Sequence, residues 1–176
     1  AALRAQLDAR AAHEPFWQEL LETQEALELP VIDRSQPAAT TAHHPLDLTL
    51  PAALRALSAP QRLASVLAWL ARCADKAGFD VGFALPPQAG EHPGLWAQQR
   101  PWRADVDFAQ GLDCLATRCT QQQQDLQRRG TYLNDLVARR PALRARAAQR
   151  DPRVLPLALA EVDRLDDAHA DAGNEL

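Results

Sequence analysis

Apolar positions recur first at helical spacing. Leu3, Leu7, Phe16, Trp17, Leu20, Leu21 and Leu27 predict a helix over residues 3–29. Pro15 starts a new turn within it and Pro30 ends it. Residues 33–41, DRSQPAATT, form a polar linker. In 44-HPLDLTLP-51 the period changes to two: Leu46, Leu48 and Leu50 share one face, Asp47 and Thr49 the other. That alternation predicts a half-buried strand. A short helix over residues 52–58 follows, then a longer one over 60–78. Pro60 stands at its first position, Gly78 at its C-cap. Leu63, Val66, Leu67 and Leu70 make its apolar stripe, which Cys73 continues.

The apolar run in 79-FDVGFALPP-87 predicts a strand buried on both faces. After a loop over 88–101, 102-WRADVDF-108 alternates again, with Trp102, Ala104, Val106 and Phe108 against Arg103, Asp105 and Asp107. A helix over 109–129 carries the solvated tract Gln121 to Gln124 and is broken by Gly130. Another covers 131–149, interrupted near Pro141, and 153–163 reads as a strand whose Pro156 suits a sheet edge. The tail 164–176 is acidic and small, as in a linker or fraying end. Helix, strand, helices, strand, strand, helices, strand is the order of a mixed α/β domain, without internal repeat.

Composition narrows the field. The chain has 176 residues, room for one domain with a real core. Its net charge of -4 and pI of about 5.7 oppose a nucleic-acid footprint. No apolar run approaches membrane-span length, and residues 1–17 hold no signal-peptide core. The absence of methionine predicts a fragment of a longer protein or a processed one. Cys73, Cys114 and Cys119 form no CxxC pair, which fits a reducing, cytoplasmic compartment and small buried hydrophobes.

Candidate chemistry is sparse. His43, His44 and Asp47 invite a catalytic reading, yet adjacent strand residues point to opposite faces, so both imidazoles cannot address one substrate. His13, His92 and His169 are scattered and show no zinc spacing. Ser35, Ser58 and Ser65 lack a nucleophile elbow, and the seven glycines form no phosphate loop. The segment with Trp96, Arg100, Trp102 and Arg103 stands apart, because Trp and Arg are enriched in binding hot spots. It is either a contact surface for another domain or protein, or a pair of tryptophans that cap the core.

The ordered set of segments resembles the C-terminal lobe of a nonribosomal peptide synthetase condensation domain. The likeness rests on Phe16 and Trp17 in a helix, then Leu29, Pro30, Asp33, Arg34 and Pro37 in a Leu-Pro-x-Asp-Arg-x-x-Pro pattern. The strand 44–51 comes next, then Asp80, Val81 and Gly82, then 101-PWRADVD-107, then a strand near 154–162. It spans roughly residues 14–162, and the ordered set is more specific than any one motif. The stretch 129–144 looks like truncated condensation-type regions that precede an adenylation domain in starting modules.

The departures are as informative. The family's HHxxxDG motif lies on a preceding lobe absent from this sequence. His43, His44 and Asp47 read HHxxD, without the glycine and after the LPxDRxxP segment, so they are out of place. The stretch 90–100 also lacks the asparagine of the family's latch. The resemblance implies one lobe of a chloramphenicol-acetyltransferase-like fold over residues 1–162, with 163–176 as a linker toward an adenylation domain. It implies no catalytic residue, metal or cofactor of its own. The expected role is a docking or structural platform in secondary-metabolite synthesis, for the adenylation domain or for a trans-acting tailoring or carrier protein. Two alternatives stand beside it: a condensation or acyltransferase enzyme completed by a missing lobe, with His43 or His44 as base, and an inert remnant.

Overall fold

A computed structural model describes residues 2–30, 49, 51–84 and 94–160. The protein is mixed α/β, with a small three-stranded mixed sheet and packed helices. The chain divides into two compact units. One comprises Ala1–Ala26, Asp80–Arg103 and Gly130–Leu176, the other Leu27–Phe79 and Ala104–Arg129.

The first unit opens with α1 (Ala2–Ala11) and α2 (Glu14–Glu22). Pro15 sits in the first turn of α2, where its missing N–H costs nothing. The predicted continuation to residue 29 does not form. Helix α2 ends at Glu22, where the Thr23 N–H and hydroxyl both turn back to the Glu19 carbonyl, at 3.0 and 2.9 Å. The chain leaves the helix at Thr23, and Ala26 makes a parallel bridge with Asp80. Tertiary pairing outweighs helix propensity here.

The strands are β1 (Gly78–Ala84), β2 (Gln99–Asp105) and β3 (Ala158–Ala160), in the order β2-β1-β3. The first two residues of β1 and the last two of β2 belong to the second unit. Strand β1 is buried on both faces over Phe79 to Phe83, as its apolar run requires. Strand β3 lies parallel to it, with Gly82 opposite Ala158, and takes the edge position that Pro156 suits. Gly82 is needed for that approach: a Cβ there would stand 2.7 Å from the Gln99 side chain and 3.2 Å from Ala158. The strand expected over 153–163 contributes these three residues, and 161–163 lie outside the described residues. So does the strand expected over 44–51, except Thr49 and Pro51.

Two short helices, α6 (Leu136–Arg139) and α7 (Pro141–Ala147), complete this unit. Pro141 opens the second, which explains the interruption in the pattern. Trp17, Leu21, Val81, Phe83, Trp96, Trp102, Tyr132, Leu136 and Leu143 are its buried core. The Trp17 ring contacts Phe16 edge-on at 5.0 Å and Tyr132 at 5.4 Å.

The second unit holds α3 (Ala52–Arg55), α4 (Ala59–Ala74) and α5 (Leu112–Arg129). Gln61 accepts from the Ser58 N–H at 3.0 Å, half of a capping box at the start of α4. Its buried positions are Ala64, Leu67, Leu70 and Ala71. The predicted stripe holds at Leu67 and Leu70, but Val66 faces solvent. The helix stops earlier than the glycine suggested. Asp75 takes the left-handed C-cap at φ 49°, a conformation its short polar side chain tolerates, and Gly78 begins β1. Ala116, Cys119 and Leu126 give α5 its buried side.

Gly130 has φ +69°, and an added Cβ would overlap the Arg10 guanidinium. Gly130→Ala should therefore lower stability in urea denaturation, by about 1–2 kcal/mol from the backbone alone and more from the clash. Adding Arg10→Ala should recover the steric part and leave the backbone part.

Candidate functional site

Asp80 is the one charged residue in β1, and it is 1 % exposed. A carboxylate buried in a strand needs partners, because its desolvation costs several kcal/mol otherwise. Residue 25 supplies two of them. The Asp80 N–H donates to the Glu25 carbonyl at 2.7 Å, and the Glu25 N–H donates to Asp80 Oδ2 at 2.6 Å. Arg103 supplies the rest as a fork, Nε to Oδ1 and Nη2 to Oδ2, each at 3.1 Å. The same Nη2 donates to the Thr23 carbonyl at 2.9 Å and approaches its hydroxyl at 3.2 Å. The hydrogen bonds that Arg103 donates to Asp80 raise its pKa above its already high ordinary value.

The end of α2 is held from a second direction. Arg146 on α7 donates Nη1 to the Glu22 carbonyl at 2.8 Å and Nη2 to the Gln24 carbonyl. These include carbonyls that a helix C-terminus leaves without intrahelical partners. The buried Gln24 amide donates to the Pro152 carbonyl at 3.2 Å. Residues 22–26 are therefore clamped between β1, β2 and the α7 region. The carboxylate and guanidinium are spent on one another and on the backbone, so the cluster can position chain segments but has little free capacity for proton transfer.

The sequence's surface candidates are mostly interior. Trp96 is 4 %, Arg100 2 % and Trp102 1 % exposed, and of the four only Arg103, with a side chain 44 % accessible, reaches solvent. The contact-surface reading of Trp96, Arg100 and Trp102 is corrected here, since a hot-spot anchor must be reachable by its partner. The tryptophans are core residues. Trp102 stacks on Phe83 at 4.7 Å. Trp96 bridges Leu133, while Ala97 accepts from the Thr131 hydroxyl at 2.8 Å. The Asn134 amide pins the same segment through Gly94 at 2.8 Å and Trp96 at 3.1 Å. Sequence patterning showed Trp and Arg, but not which side of the chain they would face.

The remaining candidates stay apart. His43, His44, Asp47, His92, His169 and Ser35 lie outside the described residues. His13 is the half-buried N-cap of α2. Ser58 precedes α4, and the Ser65 hydroxyl donates to the Gln61 carbonyl at 2.8 Å. Among the described residues, no three His, Cys, Asp or Glu side chains gather as metal ligands would. No described helix is long and apolar enough to cross a membrane. A cavity of about 30 Å³ lies among Arg10, Glu14, Tyr132, Leu136 and Arg139, room for a water rather than a substrate. Burial pushes the Tyr132 phenol pKa up.

The cysteines divide by environment. Cys119 is buried, and desolvation pushes its thiol up to about 11. Cys73 is intermediate, and Cys114 is exposed with its thiol 2.8 Å from the Gln110 side-chain oxygen. The small-hydrophobe expectation therefore suits Cys119 and fails for Cys114.

Comparison with protein-family models, curated proteins and solved structures finds no match to this chain. The missed centre is Asp80. Its signal was present: a lone carboxylate inside a strand read as buried on both faces requires a cation or N–H donors.

Arg103→Ala should destabilise the protein by about 2–3 kcal/mol, because it strands the buried Asp80 carboxylate. Asp80→Asn should cost less than Arg103→Ala. Equal, near-zero losses in chemical denaturation would remove the cluster's structural importance. Iodoacetamide near pH 8 should modify Cys114 quickly and leave Cys119 to last, as read by peptide mass spectrometry. The raised Cys119 pKa also means that its contribution to stability is intact below the ordinary value of 9.0 and is lost as pH rises toward about 11.

Proposed function

We propose that this chain is a non-catalytic, truncated condensation-like lobe of a nonribosomal peptide synthetase. Its role is that of a docking or structural platform for an adenylation domain or a trans-acting partner. The fold would then be one lobe of the chloramphenicol-acetyltransferase-like architecture, working in the cytoplasm. One observation carries the reading. Three of the segments that resemble the family, those of Trp17, Asp80 and Arg103, are knitted together as scaffold: Trp17 is fully buried, and Asp80 and Arg103 form an ion pair that grips the end of the helix carrying Trp17. Chemistry-bearing side chains at these positions support packing and chain positioning, as a platform requires.

The reading frame around this segment provides the test. An adenylation and carrier region after Leu176, with no HHxxxDG lobe upstream, is the expected result. A complete upstream lobe would instead make this half of a working condensation enzyme, and a stop after Leu176 would end the synthetase reading. In the longer protein, deleting residues 1–162 should reduce the soluble yield of the adenylation domain if the role is support. If the role is recruitment, ATP–pyrophosphate exchange should survive while a partner's association is lost.

A further inference from the structure

The outward face of α4 exposes two large apolar side chains, Val66 and Trp69. Ala64, Leu67, Leu70 and Ala71 bury one side of that helix. At about 100° per residue, Trp69 falls nearly opposite the centre of that buried arc. It is 60 % exposed, and Val66, one turn earlier on the same side, is 40 % exposed. A single exposed leucine needs no explanation, but an indole held in water at the pole of an amphipathic helix does.

Charge gives this face a sign. From Ala59 to Ala74 the helix contains Arg62 and Arg72 and no acidic residue, although the whole chain carries a net charge of -4. Arg72, three residues after Trp69, lies with its guanidinium 4.8 Å over the ring of Phe108, which is itself half exposed. Arg62 is anchored near the start of the helix by its bond to the Leu57 carbonyl. The surface is thus an apolar anchor point flanked by cations that local contacts hold in place.

We infer that this face of α4 docks a protein segment that surrounds an apolar anchor with acidic side chains. The anchor packs on Trp69 and Val66, and a carboxylate reaches Arg72. A membrane fits less well. The chain's net negative charge opposes anionic lipid, and Leu67 and Leu70 of α4 are committed to the core, which leaves little to insert. The inference deepens the docking reading above by naming a face and a partner class.

Trp69 supplies its own readout, because Trp17, Trp96 and Trp102 are all buried. The probe is a synthetic amphipathic peptide with leucines on one face and glutamates around them, beside a twin carrying lysine for each glutamate. The glutamate peptide should shield Trp69 from acrylamide quenching, and the lysine twin should not. Anisotropy of the labelled glutamate peptide should show binding about tenfold weaker or more for Arg72→Glu and for Trp69→Ser. Both positions are exposed, so circular dichroism should show the variants folded. Equal binding of the twin, no shielding by either peptide, or shielding only by anionic phosphatidylserine vesicles would overturn the inference. So would self-association in sedimentation velocity that shields Trp69 without peptide. If the peptide fails while deletion from the longer protein still reduces adenylation-domain yield, the face is wrong and the platform reading stands.

Discussion

A carboxylate with almost no access to water constrains everything around it, and Asp80 is that group here. Burying an unpaired charge is too costly to tolerate, so the chain must bring donors to it. Arg103 on β2 and the backbone of Glu25 answer that demand. In doing so they determine where α2 stops, how residues 23–26 run, and how the first unit's sheet meets its N-terminal helices. Arg103 remains partly solvated, which lowers the desolvation cost of holding the pair.

That arrangement governs the functional reading. Side chains usually associated with chemistry are engaged in holding the chain: Asp80 with Arg103, Arg146 on the last carbonyls of α2, Gln24 on Pro152. Three tryptophans are packed as core. The fourth, Trp69, is exposed on a basic helix face. The proposed platform role and the proposed acidic partner segment both draw on this division between a committed interior and an exposed face of α4.

Much of the element pattern was legible in the chain. Period-two alternation and a two-face apolar run located β1 and β2. The prolines at 15, 60 and 141 marked helix starts because a residue without an N–H is tolerated in the first turn. The edge position expected for the last strand is observed, although Pro156 precedes β3 rather than lying in it. Misreadings occurred where local rules met long-range partners. Residues 23–29 carry helix-compatible side chains, yet the helix ends at Glu22 and Ala26 bridges Asp80 of β1. Asp75 caps α4 before Gly78 can, because Gly78 is taken up by the strand.

The sequence by itself determined the mixed α/β class, the helix starts marked by Pro15, Pro60 and Pro141, the acidic balance and the burial of β1, since these depend on spacing and composition within short windows. Only the tertiary structure decided which way the Trp96 to Arg103 segment faces, that Asp80 and Arg103 meet across twenty-three residues, and that Trp69 stays outside. Those outcomes depend on which surfaces find each other in space. A residue's type records its capacity for a contact, while the packing of distant segments selects the contact that is made.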